Sequence, residues 1–378
     1  MTGGSTLNVE GGTVARNAIG AGSTTVNGGS TLNVTGGTIG GEARGGGSAV
    51  NGDAVANVSG GSVAGNVLGG GTARVTGNSA VNVASGADIA GSVFGGGSGG
   101  GTAANPSVTG DASVLITGGA IGGTVYAGGT LPTTAASVTS RVGGEATVTI
   151  QAIPVDDAFA AYAGELLPGY VLGASNAVFA ADTTPYLGTI GSLADGPNGR
   201  VGFNVFSTLS FIDGSIQQLS AADVAAANWL VDTGTEVELT DAGTASVLSP
   251  KPDTANVFTL GGRLILNAAE NLAATAEGDW VSHAGFLAMS ANTDTDKDFL
   301  QINGSATVGS PGDTIELALD PDWDGERIDL VSSTDASDPR PSTWSPSEPT
   351  ATSRISGTSP TTRAASPGTS PPRRSRRR

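Results

Sequence analysis

The chain is 378 residues long, with 61 Gly, no Cys, 4% aromatic and 13% charged residues, a balance that goes with short strands and tight corners rather than helices. Without Cys, disulfides, thiolate catalysis and Cys-based zinc sites are excluded. The net charge of −17 divides unevenly: eight Arg against one acid from residue 340 onward give +7, and nine basic against 33 acidic residues before it give −24, a body that repels nucleic acid.

The sequence opens inside a repeat. Met1-Thr2-Gly3-Gly4 shows neither a basic n-region nor an apolar h-region, so the natural start is expected to be missing. GGSTLNVEGG (3–12) returns as GGSTLNVTGG (28–37), then as GDAVANVSGG (52–61), GNSAVNVASG (77–86) and GDASVLITGG (110–119), and fades in GEATVTI (144–150). The later four full copies each continue from a branched residue to a glycine cluster, over residues 39–47, 63–71, 89–97 and 121–129.

Aligning the copies superposes Leu7-Asn8-Val9, Leu32-Asn33-Val34, Ala56-Asn57-Val58, Val81-Asn82-Val83, Val114-Leu115-Ile116 and Val148-Thr149-Ile150. All but the fifth alternate apolar, polar, apolar, the period of a strand with one buried face. One such unit cannot bury its own apolar face, whereas stacked copies form a continuous apolar column with an outer ladder of Asn. Glycine allows the corners between strands. The expected fold class is all-β, a right-handed parallel β-helix over residues 1–150.

From residue 151 to 234 the periodicity breaks down, and 151–235 reads as a divergent β region. Residues 158–167 and 221–230 are alanine-rich and read as short helices or as loops. Residues 201–206 and 209–212 read as strands, followed by the turn Asp213-Gly214. Strand patterning returns over 236–332: residues 236–239, 257–260, 263–266, 286–289, 299–302, 314–319 and 327–331, the last after the turn Trp323-Asp324-Gly325. This segment is expected to form a β stem or cap. Residues 333–378 are rich in Arg, Pro, Ser and Thr and are expected to be a disordered tail, of the composition a GC-rich gene yields when read out of frame.

The GGSTLNVTGGTIGG and ITGGAIGGTVYAGG repeats resemble the passenger regions of bacterial autotransporters, the self-exporting surface proteins of type V secretion. Residues 259–331 are similar to the stem that precedes the translocator barrel in that family, with Asp298, Leu300, Ile302 and Gly304 carrying its D-x-L-x-I-x-G pattern. The resemblance implies a structural and adhesive role, a place at the cell surface or outer membrane, and partners on host or neighbouring cells. It also implies a signal peptide and a translocator barrel, neither of which is visible in this sequence, and no apolar run approaches the roughly 20 residues that span a bilayer.

Candidate chemistry is sparse, and no residue is expected to be catalytic, cofactor-binding or metal-binding. A Ser-His-Asp site would have to be built around His283, the single histidine. A carbohydrate-active β-helix enzyme, working through carboxylates and Lys or Arg, is the alternative function, although Lys251 and Lys297 are the only lysines. Asp294, Asp296 and Asp298 alternate, and Asp320, Asp322, Asp324 and Gly325 match the first half of a calcium loop. The twelfth positions hold Ser305 and Val331 instead of the required Glu, so both clusters read as acidic turns.

Overall fold

The computed structural model describes residues 3–99, 106–130, 141–181, 185–192, 204–220, 224–240, 246–247, 256–266, 273–276, 278–291, 298–307, 313–319 and 331–333. Among them every pair of strands is parallel, so the fold is all-β and built from parallel sheets. The largest sheet has fifteen strands, twelve on one path from Ser5–Val9 through Ser30–Ile39, Ala54–Val63, Ser79–Val83, Ala112–Ile116 and Ala146–Gln151 to Ala306–Thr307. At the usual strand separation of about 4.8 Å, that path is about 50 Å long. Among the described residues no helix is long and apolar enough to cross a membrane.

The repeated sequence sets the register. Ser5-Thr6-Leu7-Asn8-Val9 lies on the identical Ser30-Thr31-Leu32-Asn33-Val34, each residue on its own copy, and the next layer places Ala56-Asn57-Val58 on Leu32-Asn33-Val34. Val9, Val34, Val58, Val83, Ile116 and Ile150 form one buried column, and Leu32, Ala56, Val81, Val114 and Val148 a second. A one-residue slip would turn both columns to solvent, so burial specifies the register. Each fully buried Val, Leu or Ile contributes about 1.5–3 kcal/mol of transfer free energy.

A second sheet of seven short strands faces the first, running from Ala18–Ile19 through Ala43–Arg44, Val67–Leu68, Val93–Phe94, Val125–Tyr126 and Glu165–Leu167 to Thr189–Ile190. A third side is a column of Val: Val26 and Val50 in a two-stranded sheet, then single parallel bridges through Val75, Val108, Val142 and Val171. The sides approach so closely that their corner must be glycine. A Cβ on Gly69 would collide with the Gly95 carbonyl of the next layer and lie 2.9 Å from the Ala80 backbone across the interior. Buried hydroxyls tie the same corner to the long sheet: Ser30 Oγ donates to the Gly45 carbonyl at 2.5 Å and Ser79 Oγ to that of Gly95 at 2.6 Å.

Beyond residue 150 the long sheet continues without a break through Ser175–Ala180, Phe206–Ile212, Ala226–Val231, Val257–Leu260 and Asp279–Ser282. Its interior changes from aliphatic side chains to rings. Phe179, Phe211, Trp229, Phe258 and Trp280 stack along the axis with centroid separations of 5.5, 6.0, 5.6 and 4.4 Å. A five-stranded sheet, from Ile216–Leu219 through Glu236–Leu239, Arg263–Ile265 and Phe286–Ala291 to Thr314–Leu319, forms another side here. A four-stranded sheet comprises Ser246–Val247, Ala273–Ala276, Phe299–Ile302 and Val331–Ser333.

Two local expectations change. Of residues 221–230, expected as helix or loop, 226–230 belong to the strand Ala226–Val231, because Ala226, Trp229 and Val231 face inward onto the next layers and their burial outweighs the helix preference of alanine; 221–223 lie outside the described residues. Of residues 158–167, Ala158–Ala161 form one 3-10 turn and Glu165–Leu167 a strand of the second sheet. The turn at Asp213-Gly214 is present, with φ of 54° and 78°. Residues 201–203, the acidic positions Asp294, Asp296, Asp320, Asp322 and Asp324, the turn residues Trp323 and Gly325, residues 327–330 and the tail from 334 lie outside the described residues.

Candidate interaction surface

On the outer face of the long sheet the Asn side chains meet layer upon layer. Asn33 Nδ2 donates to Asn8 Oδ1 at 2.8 Å, Asn57 Nδ2 to Asn33 Oδ1 at 2.8 Å, and Asn82 Nδ2 to Asn57 Oδ1 at 2.7 Å. Parallel in-register strands place identical amides one strand spacing apart, which lets each one donate and accept at once. Where the repeat departs from Asn, Leu115 and Thr149 occupy the same outward column. Beside it run Thr6, Thr31, Val55, Ala80, Ser113 and Thr147, so this face is uncharged and mostly hydroxyl or amide.

The turn entering each strand carries a second ladder. Asp53 Oδ1 accepts the Asn78 N–H at 2.8 Å, Asn78 Oδ1 that of Asp111 at 2.9 Å, and Asp111 Oδ1 that of Glu145 at 2.9 Å. These carboxylates therefore cap the backbone of the next layer, a structural use of acidic turns.

The five-stranded sheet carries a mixed column of charged and exposed apolar side chains. Glu236 and Glu238 are two residues apart on one strand and share its outer face, with Cα atoms about 6.6 Å apart. Arg263, in register with Glu236, donates from Nη1 to its Oε2 at 2.9 Å, and Gln218 Nε2 donates to Glu238 Oε2 at 2.5 Å. Ile216 on one side and Phe286 on the other are 54% and 42% exposed, and they flank this group in the same column. Glu236 and Arg263 are about one-third exposed, so their ion pair adds little stability and stays within reach of solvent.

The residues singled out in the sequence have other surroundings. His283 lies exposed on the turn after Asp279–Ser282, its backbone N–H bonded to the Leu260 carbonyl at 2.9 Å. Asp298, Leu300 and Ile302 are fully buried. Asp298 Oδ2 accepts the Ser290 N–H at 2.6 Å and hydroxyl at 2.9 Å, which joins the start of Phe299–Ile302 to the end of Phe286–Ala291. Gly304 packs so tightly on Gly278 that a Cβ would collide with its carbonyl. The D-x-L-x-I-x-G pattern thus serves packing here.

Burial, aided by the Glu165 carboxylate, raises the Tyr162 and Tyr186 hydroxyls far above the ordinary tyrosine value. Both remain neutral donors, to the Gly123 carbonyl at 2.7 Å and the Gly164 carbonyl at 2.8 Å. Among the described residues no three His, Asp or Glu side chains are grouped to hold a metal ion.

The group formed by Glu236, Glu238, Arg263 and Phe286 escapes sequence reading because its members are 50 residues apart, from 236 to 286. The alternating Glu-Val-Glu-Leu of the strand places both acids on one face, but only the register brings Arg263 and Phe286 beside them. No family model, curated protein or solved structure matches the chain.

Proposed function

We propose that the chain is a structural, adhesive passenger segment of an autotransporter-like bacterial surface protein, wound as a right-handed parallel β-helix with residues 236–332 as its stem. The observation that carries this reading is the outward Asn ladder with its flanking Thr and Ser. It is an uncharged, hydrogen-bonding surface carried on the parallel sheet beneath it. Such a surface presents many weak contacts at fixed spacing, and adhesion gains strength from their number. In-register stacking supports the β-helix, and the repeat motifs supply the link to self-exporting surface proteins. The parent protein would sit at the outer membrane, with its partners on host or neighbouring cells.

The experiment is display. The chain, fused between an export signal and a translocator barrel, is placed on a non-adherent bacterium. Surface-exposed protein that increases attachment to epithelial cells or to sister cells is expected. Protein that reaches the surface folded and leaves attachment unchanged would refute adhesion.

A second reading, a carbohydrate-active enzyme, is favoured by the Glu236–Glu238 pair beside Arg263 and the exposed Phe286 ring. Two carboxylates on one face are the minimal equipment for general acid and base roles on a glycosidic bond. Release of reducing ends from a polysaccharide panel, lost in Glu236→Gln and Glu238→Gln, would establish it in place of adhesion.

A further inference from the structure

The short strands Thr13–Val14, Ala87–Ile89 and Ala120–Ile121 belong to one ladder with the ends of Ser30–Ile39 and Ala54–Val63, and this ladder reaches its last strand at Ala120–Ile121. In the next layer the chain leaves Ala146–Gln151 and, in place of a strand, makes an excursion over residues 152–163 that contains the 3-10 turn Ala158–Ala161. That turn packs on Ala120–Ile121.

Asp157 fixes the excursion to two earlier layers. Its Oδ1 accepts the Gly119 N–H at 2.7 Å and the Phe159 N–H at 2.9 Å, and its Oδ2 accepts the Ser85 hydroxyl at 2.7 Å, 72 residues back in the chain. The receiving surface is shaped for a carboxylate. Gly118 and Gly119 have φ of 146° and 100°, and a Cβ on Gly118 would collide with the Ser85 hydroxyl and the Asp157 carboxylate. Beyond the latch, Phe159 and Tyr162 stack at 4.9 Å and enter the interior, where Tyr162 meets Tyr186 at 6.0 Å. The segment therefore plugs the seam where the aliphatic interior gives way to the aromatic one.

We propose that residues 152–163 are a carboxylate-latched strap that closes the short ladder, and that protonation of Asp157 loosens it. The latch rests on three donors that favour the ionised form. Burial alone would raise the carboxyl, but the bonds from Phe159, Ser85 and Gly119 outweigh it and hold it below its ordinary value. The charged groups on the neighbouring elements are Asp156 beside it, Asp88 on Ala87–Ile89 and Glu165 on Glu165–Leu167, all acidic. A carboxyl depressed on folding stabilises the closed strap above its unfolded value of about 3.9, and that contribution is lost as pH falls through the folded value. The strap is closed at neutral pH and loosens in acid, at Gly119 and at the start of the 3-10 turn, where Asp157 holds it.

Amide hydrogen exchange on the full chain tests this at Gly119 and Phe159, read as protection factors. Asp157→Ala at pH 7 is expected to lower protection at both amides at least about ten-fold, with Val114 and Val148 in the long sheet unchanged. Asp157→Asn, which keeps an acceptor but no charge, is expected to fall between that variant and the wild type, and wild-type protein to approach Asp157→Asn as pH is lowered from 7 to 2. Unchanged Gly119 protection in Asp157→Ala at pH 7, or in wild-type protein throughout a titration from pH 7 to 2, would overturn the latch. So would a loss shared equally by Val114 and Val148, which would mean that the whole sheet opens rather than the strap.

Discussion

The layers before residue 130 and those after residue 170 share one continuous sheet but fill their interiors by opposite means. In the first set Val, Ala and Gly bring the sides of the molecule almost into backbone contact, and Ser30 and Ser79 bond directly across the gap. In the second, Phe179, Phe211, Trp229, Phe258 and Trp280 fill the interior as a stack of rings. The glycine corners at Gly45, Gly69 and Gly95 tolerate no added atom, whereas ring-filled layers depend on large buried surfaces. The strap at residues 152–163 sits at the change between them.

Substitutions sharpen that contrast, beginning with the most damaging. Gly69→Val places a branched side chain against the backbone of two sides at once. It is expected to cost about 4 kcal/mol or to prevent folding of the early layers, measured by circular dichroism and urea denaturation. Trp229→Ala empties the centre of the aromatic stack and is expected to cost about 3–5 kcal/mol. Trp229→Phe should be much milder, below about 1.5 kcal/mol, because it keeps a ring and removes Nε1, which is buried without an acceptor among the described residues.

Val81→Ala, in the aliphatic interior, is expected to cost about 2 kcal/mol in the same urea titration. Asn57→Ala breaks two rungs of the outer ladder at once and is expected to cost about 1 kcal/mol. Asn8→Ala, which breaks one of these rungs, should cost about half as much. Equal effects at Asn57 and Asn8 would show that the amide ladder adds no stability of its own.

The sequence disclosed the early layers because their register is written in repetition. Ser5 pairs with Ser30 and Ser30 with Ala54, offsets of 25 and 24 residues, so like residues fall on like and the outward Asn ladder is legible. The offsets lengthen to 33 and 34 at Ser79–Ala112 and Ala112–Ala146, where the repeated motif still marks the strand, and past residue 150 they vary without it: Ala146 pairs with Ser175, 29 residues on, and Phe206 with Ala226, only 20 on. No fixed period then connects one layer to the next, and the sheet's continuity is hidden although most individual strands are visible. Alanine misleads further at residues 226–231, where helix preference is a local property and strand burial depends on distant partners. The Glu236 and Arg263 pairing is likewise a fact of register, which no local pattern carries. Asp157 gave no signal at all, because its value lies in donors from Ser85 and Gly119.

The buried columns and the outer amide ladder depend on parallel stacking in one register, and the absence of Cys makes that directly accessible. Paired cysteines at Asn33 and Asn57, register partners on the outer face, should lie within disulfide reach. Mild oxidation of the N33C/N57C protein is expected to form an intramolecular bridge in nearly all molecules, detected by the loss of free thiol without dimerisation. The N33C/A56C control, shifted by one residue so that the second thiol faces inward, is expected to stay reduced. A bridge in the shifted pair and none in the register pair would contradict the stacking and, with it, the outer surface on which adhesion is proposed to rest.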